Sequence, residues 1–290
     1  MQDESEKLRG LYRSKGDIVT RMGKNMKHRL DIQAYILPNM EDSKCPQTIE
    51  KSVQMIKGLA TSGITDIFCT PKVDDSNVQA IITSIPATLD NVRHAVAEQD
   101  VNVTLHSGAV VELSDTMIEY IRKHRDLLVL GKSHFMLVTI PENCKLYHVN
   151  MWLQTLWDLD IVPILSEVER HSIFFSKPEQ LLEWVDKGIL FECNIMSFNH
   201  DSKYYSKAIE LYTNGLIHFF GTGYDVLTEQ CGDYVEVISK LDMEYKKNLL
   251  SDIQLNERDL LADRMFYPTV PDYWVGKRPN FWTRLLSIAL

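Results

Sequence analysis

Seven short apolar runs punctuate the chain between residues 31 and 222: "DIQAYIL", "ITDIFCT", "VNVTLHS", "HFMLVTI", "IVPILSE", "GILFECN" and "LIHFFGT". Each is rich in β-branched or aromatic residues, and the segments between them carry helical spacing. In 48–62, Ile49, Val53, Ile56 and Leu59 recur at three- or four-residue steps, and Gly63 stands where a C-terminal cap needs it. Segments 75–98, 114–124, 148–159, 177–187, 201–213 and 226–241 read the same way. Strands that alternate with helices build a parallel sheet. Because the runs are almost continuously apolar, that sheet is covered on both faces or closed into a barrel. In such folds the chemistry sits where strands end and polar loops begin, so the residues that close each run are the candidates for function.

The rest of the chain limits what that function can be. Its 290 residues suit one large α/β domain or two small ones. A net charge of −9 speaks against a nucleic-acid footprint over the whole surface. No apolar run reaches the roughly 18–20 residues that span a bilayer, so no transmembrane segment is expected. The start, "MQDESEKLRG", is too polar for a secretory signal. Cys45, Cys69, Cys144, Cys193 and Cys231 are scattered and form no CxxC pair, which suits reduced thiols in a cytoplasmic protein.

Three regions are expected: a basic N-terminal arm over 1–29, a barrel over 30–245 and an extension over 246–290. Between residues 7 and 29 the arm sets eight Lys and Arg against one acid, Asp17. It reads either as a solvated arm or as a docking tail. The segment "FYPTVPDYWVGKRPNFWTRLLSIAL" cannot be one regular helix through its prolines. It either packs onto the barrel or forms an aromatic docking segment.

Common catalytic motifs fail one by one. Gly131–Lys132–Ser133 suggests a phosphate loop, but Asp126 replaces the required first glycine. Gly221-Thr222-Gly223 lacks a dinucleotide fingerprint's third glycine, since position 226 is Val226. No HExxH, HxH or Cys/His ligand cluster occurs. No cysteine has an arginine six residues on, as a cysteine-phosphatase loop requires.

The ordered strand-end segments carry more. "DIQAYILPNMEDS", "GITDIFCTPK", "SGAVVELSD", "FMLVTIP", "VPILSEVERH", "GILFECNIMSF" and "LIHFFGTGYD" resemble the polymerase-and-histidinol-phosphatase (PHP) superfamily over about residues 30–240. The likeness is to its bacterial branch of CpsB/YwqE-like tyrosine-protein phosphatases. It implies a distorted (β/α)7 TIM-like barrel, a metal cluster (often manganese) at the C-terminal strand ends, and hydrolysis of phosphotyrosine on tyrosine kinases of polysaccharide export. Hydrolysis of that kind needs imidazoles and carboxylates converging on ions that make hydroxide at neutral pH.

At the positions where the resemblance implies metal ligands, this chain carries other residues. The first-strand histidines are Gln33 and Tyr35, and the histidine after Thr70–Pro71 is Lys72. The two glutamates are Val110 and Thr139, the "HPER" histidine is Glu167, and the last Asp and His are Gly223 and Asp225. A shifted alignment rescues Glu112 alone. No catalytic residue and no metal ligand is therefore expected. Lys72 is expected to replace the ions by pairing with Glu167 or Asp225. Arg170 matches the family's phosphate-facing arginine. With Lys72 it is the candidate for a residual anion or phosphotyrosine site, and its alternative role is an ion pair with Glu169 or Asp42.

Three functions stay open. The chain is a catalytically inactive homologue that binds or regulates, with a tyrosine kinase or polysaccharide-export protein as partner. Alternatively, it is an active phosphoric-monoester hydrolase whose metal site is rebuilt from Glu167, Asp225, Glu112 and a nearby histidine. In the third reading it is a mainly structural partner that docks through arm and tail.

Overall fold

The computed structural model of the chain describes residues 29–40, 43–142, 144–226 and 234–271. The basic arm up to residue 28, Asp42, Cys231 and the segment after residue 271 lie outside them.

In chain order the described elements are β1 (Leu30–Ala34), α1 (Ile49–Thr61), β2 (Asp66–Cys69), β3 (Lys72–Val73), α2 (Val78–Ala97), β4 (Thr104–Ser107), β5 (Val110–Glu112), α3 (Asp115–Leu128), β6 (Phe135–Thr139), α4 (Leu146–Asp158), β7 (Val162–Leu165), α5 (Ser172–Ser176), α6 (Pro178–Asp186), β8 (Leu190–Asn194), α7 (Tyr205–Thr213), β9 (Phe219–Gly221), α8 (Tyr234–Tyr245) and α9 (Leu249–Leu261). Local chemistry sets several ends. The Thr48 side chain accepts from Lys51 N and caps α1, and Gly63 takes the left-handed backbone (φ 87°) just after it. Ser114 caps α3 by accepting from Met117 N at 2.9 Å.

Every strand pairing is parallel, in the orders β1-β2-β4 and β3-β5-β6-β7-β8-β9. Two strands are broken in the middle. Pro71, which has no N–H to give, separates β2 from β3. Gly108 separates β4 from β5. A β-carbon there would stand 2.9 Å from Leu130 Cδ2 and 3.1 Å from Thr70 Cγ2. Counted through those breaks, the nine pieces are seven strands, one for each apolar run.

The sheet closes where the loop after β9 meets β1. Tyr35 N donates to Tyr224 O and Gly223 N to Gln33 O, both at 2.9 Å. Beneath that seam the buried Asp31 accepts from Thr222 N, from Thr222 Oγ1 and from Gln33 N. The architecture is the expected distorted (β/α)7 barrel.

The core lies in two layers. Between strands and helices runs a large apolar shell that includes Ile56, Val138, Leu165, Phe191 and Phe220. Inside the barrel Leu30, Ile32, Phe68, Val110, Leu137, Ile164 and Leu190 form a second cluster. That lumen is plugged from below by Leu260 of α9 and by Phe266, whose ring lies 6.0 Å from Phe135 and 6.2 Å from Phe219. These plugs come from beyond the boundary expected at residue 245, so α9 shares the barrel's core.

Phe266 is 4% exposed and packs in the lumen cluster against Phe135 and Phe219. Phe266→Ala is expected to cost about 3–5 kcal/mol of unfolding free energy through the cavity it leaves. Urea denaturation of the full chain measures it.

Candidate functional site at the barrel mouth

The apolar layer stops one residue pair below the C-terminal strand ends. Strand alternation then turns polar side chains into the mouth. In β8, Leu190 belongs to the lumen, so Glu192 and Asn194 point the same way above it. In β5, Val110 is buried in the lumen and Glu112 follows two residues on. β3 places Lys72 beside Val110, and β6 places Thr139 beside Glu112.

Lys72 does not reach Glu167 or Asp225, which the sequence had suggested as partners. Its Nζ lies 2.8 Å from Glu112 Oε2. Register is the cause. Lys72 and Glu112 stand on adjacent strands two residues apart along one face. Both are partly exposed, at 37% and 27%, so the pair is screened.

Arg170 is the cation at the centre of the other half of the mouth. Its Nη1 lies 3.0 Å from Glu167 Oε1, its Nε 3.7 Å from Glu169 Oε1, and its guanidinium 5.4 Å from the Tyr204 ring centre. Glu167 is therefore its first partner. Glu169 is the second, and Asp42 lies outside the described residues.

Around this ion pair the structure stacks carboxyls that hold the backbone. Glu167 takes a left-handed conformation (φ 48°), which costs an L-residue roughly 1 kcal/mol. Its N–H donates to Glu192 Oε2 at 2.7 Å, and Asn194 Nδ2 donates to its Oε1 at 3.0 Å. Glu169, fully buried, accepts from Ser197 Oγ at 2.7 Å and Asn194 N at 3.2 Å. Burial, then the nearby Glu167, push the Glu169 carboxyl up to about 7. Burial and the carboxylates of Glu167 and Glu169 push Glu192 well above the usual range.

Glu192 and Gln33 meet at Gly221. Glu192 Oε1 and Gln33 Oε1 are both buried acceptors without a protein donor. Both abut Gly221: a β-carbon there would lie 2.6 Å from the first and 3.2 Å from the second. Gln33 Nε2 donates to Tyr35 Oη at 3.2 Å. Nearby, Thr139 Oγ1 lies 3.3 Å from His171 Nε2, and burial holds that imidazole below its usual pKa. Gly223 is also a space requirement, since a β-carbon would collide with Asn194 Nδ2. Asp225 is buried beside it.

The mouth thus gathers Gln33, Tyr35, Lys72, Thr139, Glu167, Arg170 and Gly223, while Val110 belongs to the apolar lumen beneath. A family model described as "Capsular polysaccharide synthesis, CpsB/CapC" matches residues 29–261. The chain belongs to the CpsB/CapC family. The putative tyrosine-protein phosphatase CapC of Staphylococcus aureus is 21% identical over 203 residues, which is 69% of this chain and 78% of CapC. A chain from the crystal structures of YwqE from Bacillus subtilis and CpsB from Streptococcus pneumoniae, described as unique metal-dependent tyrosine phosphatases, superposes with a TM-score of 0.75 at 20% identity. The match covers 86% of this chain and all of that one.

YwqE and CpsB are described as metal-dependent, so the mouth of this CpsB/CapC member can be asked whether its own residues suit a metal. Among the described residues, no three His, Cys, Asp or Glu side chains lie together so that they could hold a metal ion. Glu112 faces the Lys72 ammonium and Glu167 the Arg170 guanidinium, so both carboxylates already have cations. The residues present do not fit a metal cluster. Sequence reasoning missed Glu192, Asn194 and His171. An acid inside the apolar run "GILFECN" was the available signal, because a charged residue in a buried strand needs a partner or a proton.

Two changes test this electrostatic account. Arg170→Ala removes the partner of Glu167 and Glu169 and is expected to cost about 3–5 kcal/mol of stability. The pH dependence is the second test. Asp31, raised to about 6 by burial, Glu169, raised to about 7, and Glu192, which burial pushes well above the usual carboxyl range, keep protons that the unfolded chain has lost. Their contributions are full below the unfolded carboxyl value and disappear as pH rises through the folded one. His218, held down to about 3, and His171 oppose this only below the imidazole value of 6.5. Above that value Glu169 and Glu192 act alone. Stability is expected to fall as pH rises from about 6.5 through the Glu169 value of about 7, and Glu192→Gln to flatten the slope. Denaturant midpoints across that range measure both.

Proposed function

We propose that this chain is a non-catalytic member of the CpsB/CapC family. It acts as a binding or regulatory protein in capsular or exopolysaccharide production or its tyrosine-kinase pathway. A tyrosine kinase or a polysaccharide-export protein is the partner, met in the cytoplasm. The observation that carries the reading is the internal pairing of the mouth. Lys72–Glu112 and Arg170–Glu167 put protein cations against the carboxylates that a metal would need. Hydrolysis of a phosphate monoester in this fold class relies on metal-made hydroxide and metal charge at the leaving oxygen. An ammonium and a guanidinium supply charge but no such nucleophile.

Arg170 and Lys72 keep a secondary role in this reading, as a weak site for an anionic group. A phosphate entering the mouth must compete with Glu167 and Glu112 for them. The Tyr204 ring beside Arg170, with Lys203 Nζ 4.8 Å from the ring centre, gives an aromatic phosphate a surface to stack on.

The test is metal content by mass spectrometry after incubation with manganese, together with hydrolysis of a phosphotyrosine peptide. Less than about a tenth of an equivalent of metal and no hydrolysis above buffer are expected. One or more tightly held equivalents, with hydrolysis abolished by Glu167→Ala, would overturn the reading in favour of a hydrolase with a rebuilt metal site.

A further inference from the structure

Beside the mouth lies a second set of cations, where α5 and the start of α7 come to the surface. Arg170 links the two sets. Its guanidinium stands 5.4 Å from the centre of the Tyr204 ring, and Lys203 Nζ stands 4.8 Å from the same centre. One turn on, Lys207 Nζ lies 4.9 Å from the centre of the Phe175 ring, near the end of α5. Lys203 is exposed, and Tyr204, Lys207 and Phe175 are half-buried, so all four keep surface in water.

These lysines differ from the cations inside the mouth. Lys72 and Arg170 each hold a carboxylate. Among the described residues no carboxylate forms an ion pair with Lys203 or Lys207, not even the exposed Asp201 close by in the chain. A ring face attracts an ammonium through its quadrupole but carries no net charge. The rings therefore restrict where the two ammonium groups sit and leave their charge available.

The placement does not serve α7. The first turn of that helix has no acidic residue, and cations at a helix start oppose its dipole. A partner that brings carboxylates to this rim gains ion pairs without displacing any, which is the condition for electrostatic complementarity across an interface. The half-buried Phe175 adds an apolar contact beside them. A long polyanion such as a nucleic acid does not suit a chain whose net charge is −9. A short acidic stretch of polypeptide does. We propose that the rim between α5 and α7 docks an acidic peptide segment of a partner protein, with its carboxylates on Lys203 and Lys207 and an apolar side chain against Phe175. This role rests on the reading of the chain as a binding protein, and the docked segment lies outside the ion pairs of the mouth.

Fluorescence anisotropy of the full-length chain with a labelled, unphosphorylated (Glu-Glu-Leu-Gly)3 peptide tests this. A Kd below about 100 μM at low salt is expected, and binding about tenfold weaker or worse when glutamine replaces every glutamate of the peptide. Lys203→Glu combined with Lys207→Glu is expected to weaken binding of the acidic peptide by about tenfold or more, and Lys203→Glu alone, at an exposed position, by about threefold or more if the double variant fails to fold. The proposal is overturned if the acidic peptide does not bind, if a folded variant binds it as tightly as the parent chain because the basic arm or another cation holds it, or if the glutamine peptide binds equally well. It is also overturned if phosphatidylglycerol vesicles bind through the same two lysines more tightly than the peptide, which would make the rim a membrane surface. Hydrolysis of phosphotyrosine by a chain that still binds the peptide through these lysines overturns the non-catalytic reading of the mouth alone. Failure to bind the peptide, in a chain without metal or hydrolysis, overturns the rim alone.

Discussion

The contact between the Arg170 guanidinium and the carboxylates of Glu167 and Glu169 sets the terms for the whole barrel mouth. An α/β barrel must end its apolar lumen somewhere, and here it ends in a ring of polar side chains that are largely out of water. Unpaired charge at that depth costs several kcal/mol per ion even after relaxation. The ring meets this constraint in two ways. Lys72 and Arg170 face Glu112 and Glu167 as ion pairs. Glu169 and Glu192, buried deepest, are pushed towards their neutral forms. The carboxyls also do structural work as acceptors. Glu192 holds the strained Glu167 backbone, and Glu169 holds the start of the turn after β8.

Much of the fold was legible because its signal is local. The seven apolar runs became seven strands, since a strand covered on both faces needs apolar side chains at nearly every position. The breaks at Pro71 and Gly108 were not legible. A proline or glycine marks an interruption, but only the sheet shows that the chain resumes in the same strand. α9 was hidden for another reason. Its buried set, Leu249, Ile253, Asn256, Glu257, Asp259 and Leu260, mixes apolar with charged residues and blurs the helical stripe.

The site was legible in position and not in pairing. The order of the strand ends located Gln33, Tyr35, Lys72, Thr139, Glu167 and Arg170 at one mouth. Which cation meets which carboxylate depends on strand register. The pairing of Lys72 with Val110 gives Lys72 to Glu112, and a three-residue step in a tight turn gives Arg170 to Glu167. The TM-score of 0.75 at 20% identity says the same of the fold as a whole. In this chain Gly221, packed on Glu192 and Gln33, lets β9 and β1 approach closely at the mouth.

The polar groups of the mouth have little left to give an incoming ligand. At the mouth, an arriving anion gains only the difference between its own contact and the carboxylate it displaces, already 2.8 Å from Lys72 and 3.0 Å from Arg170. Leaving the displaced carboxylate partly buried without its cation reduces that gain further.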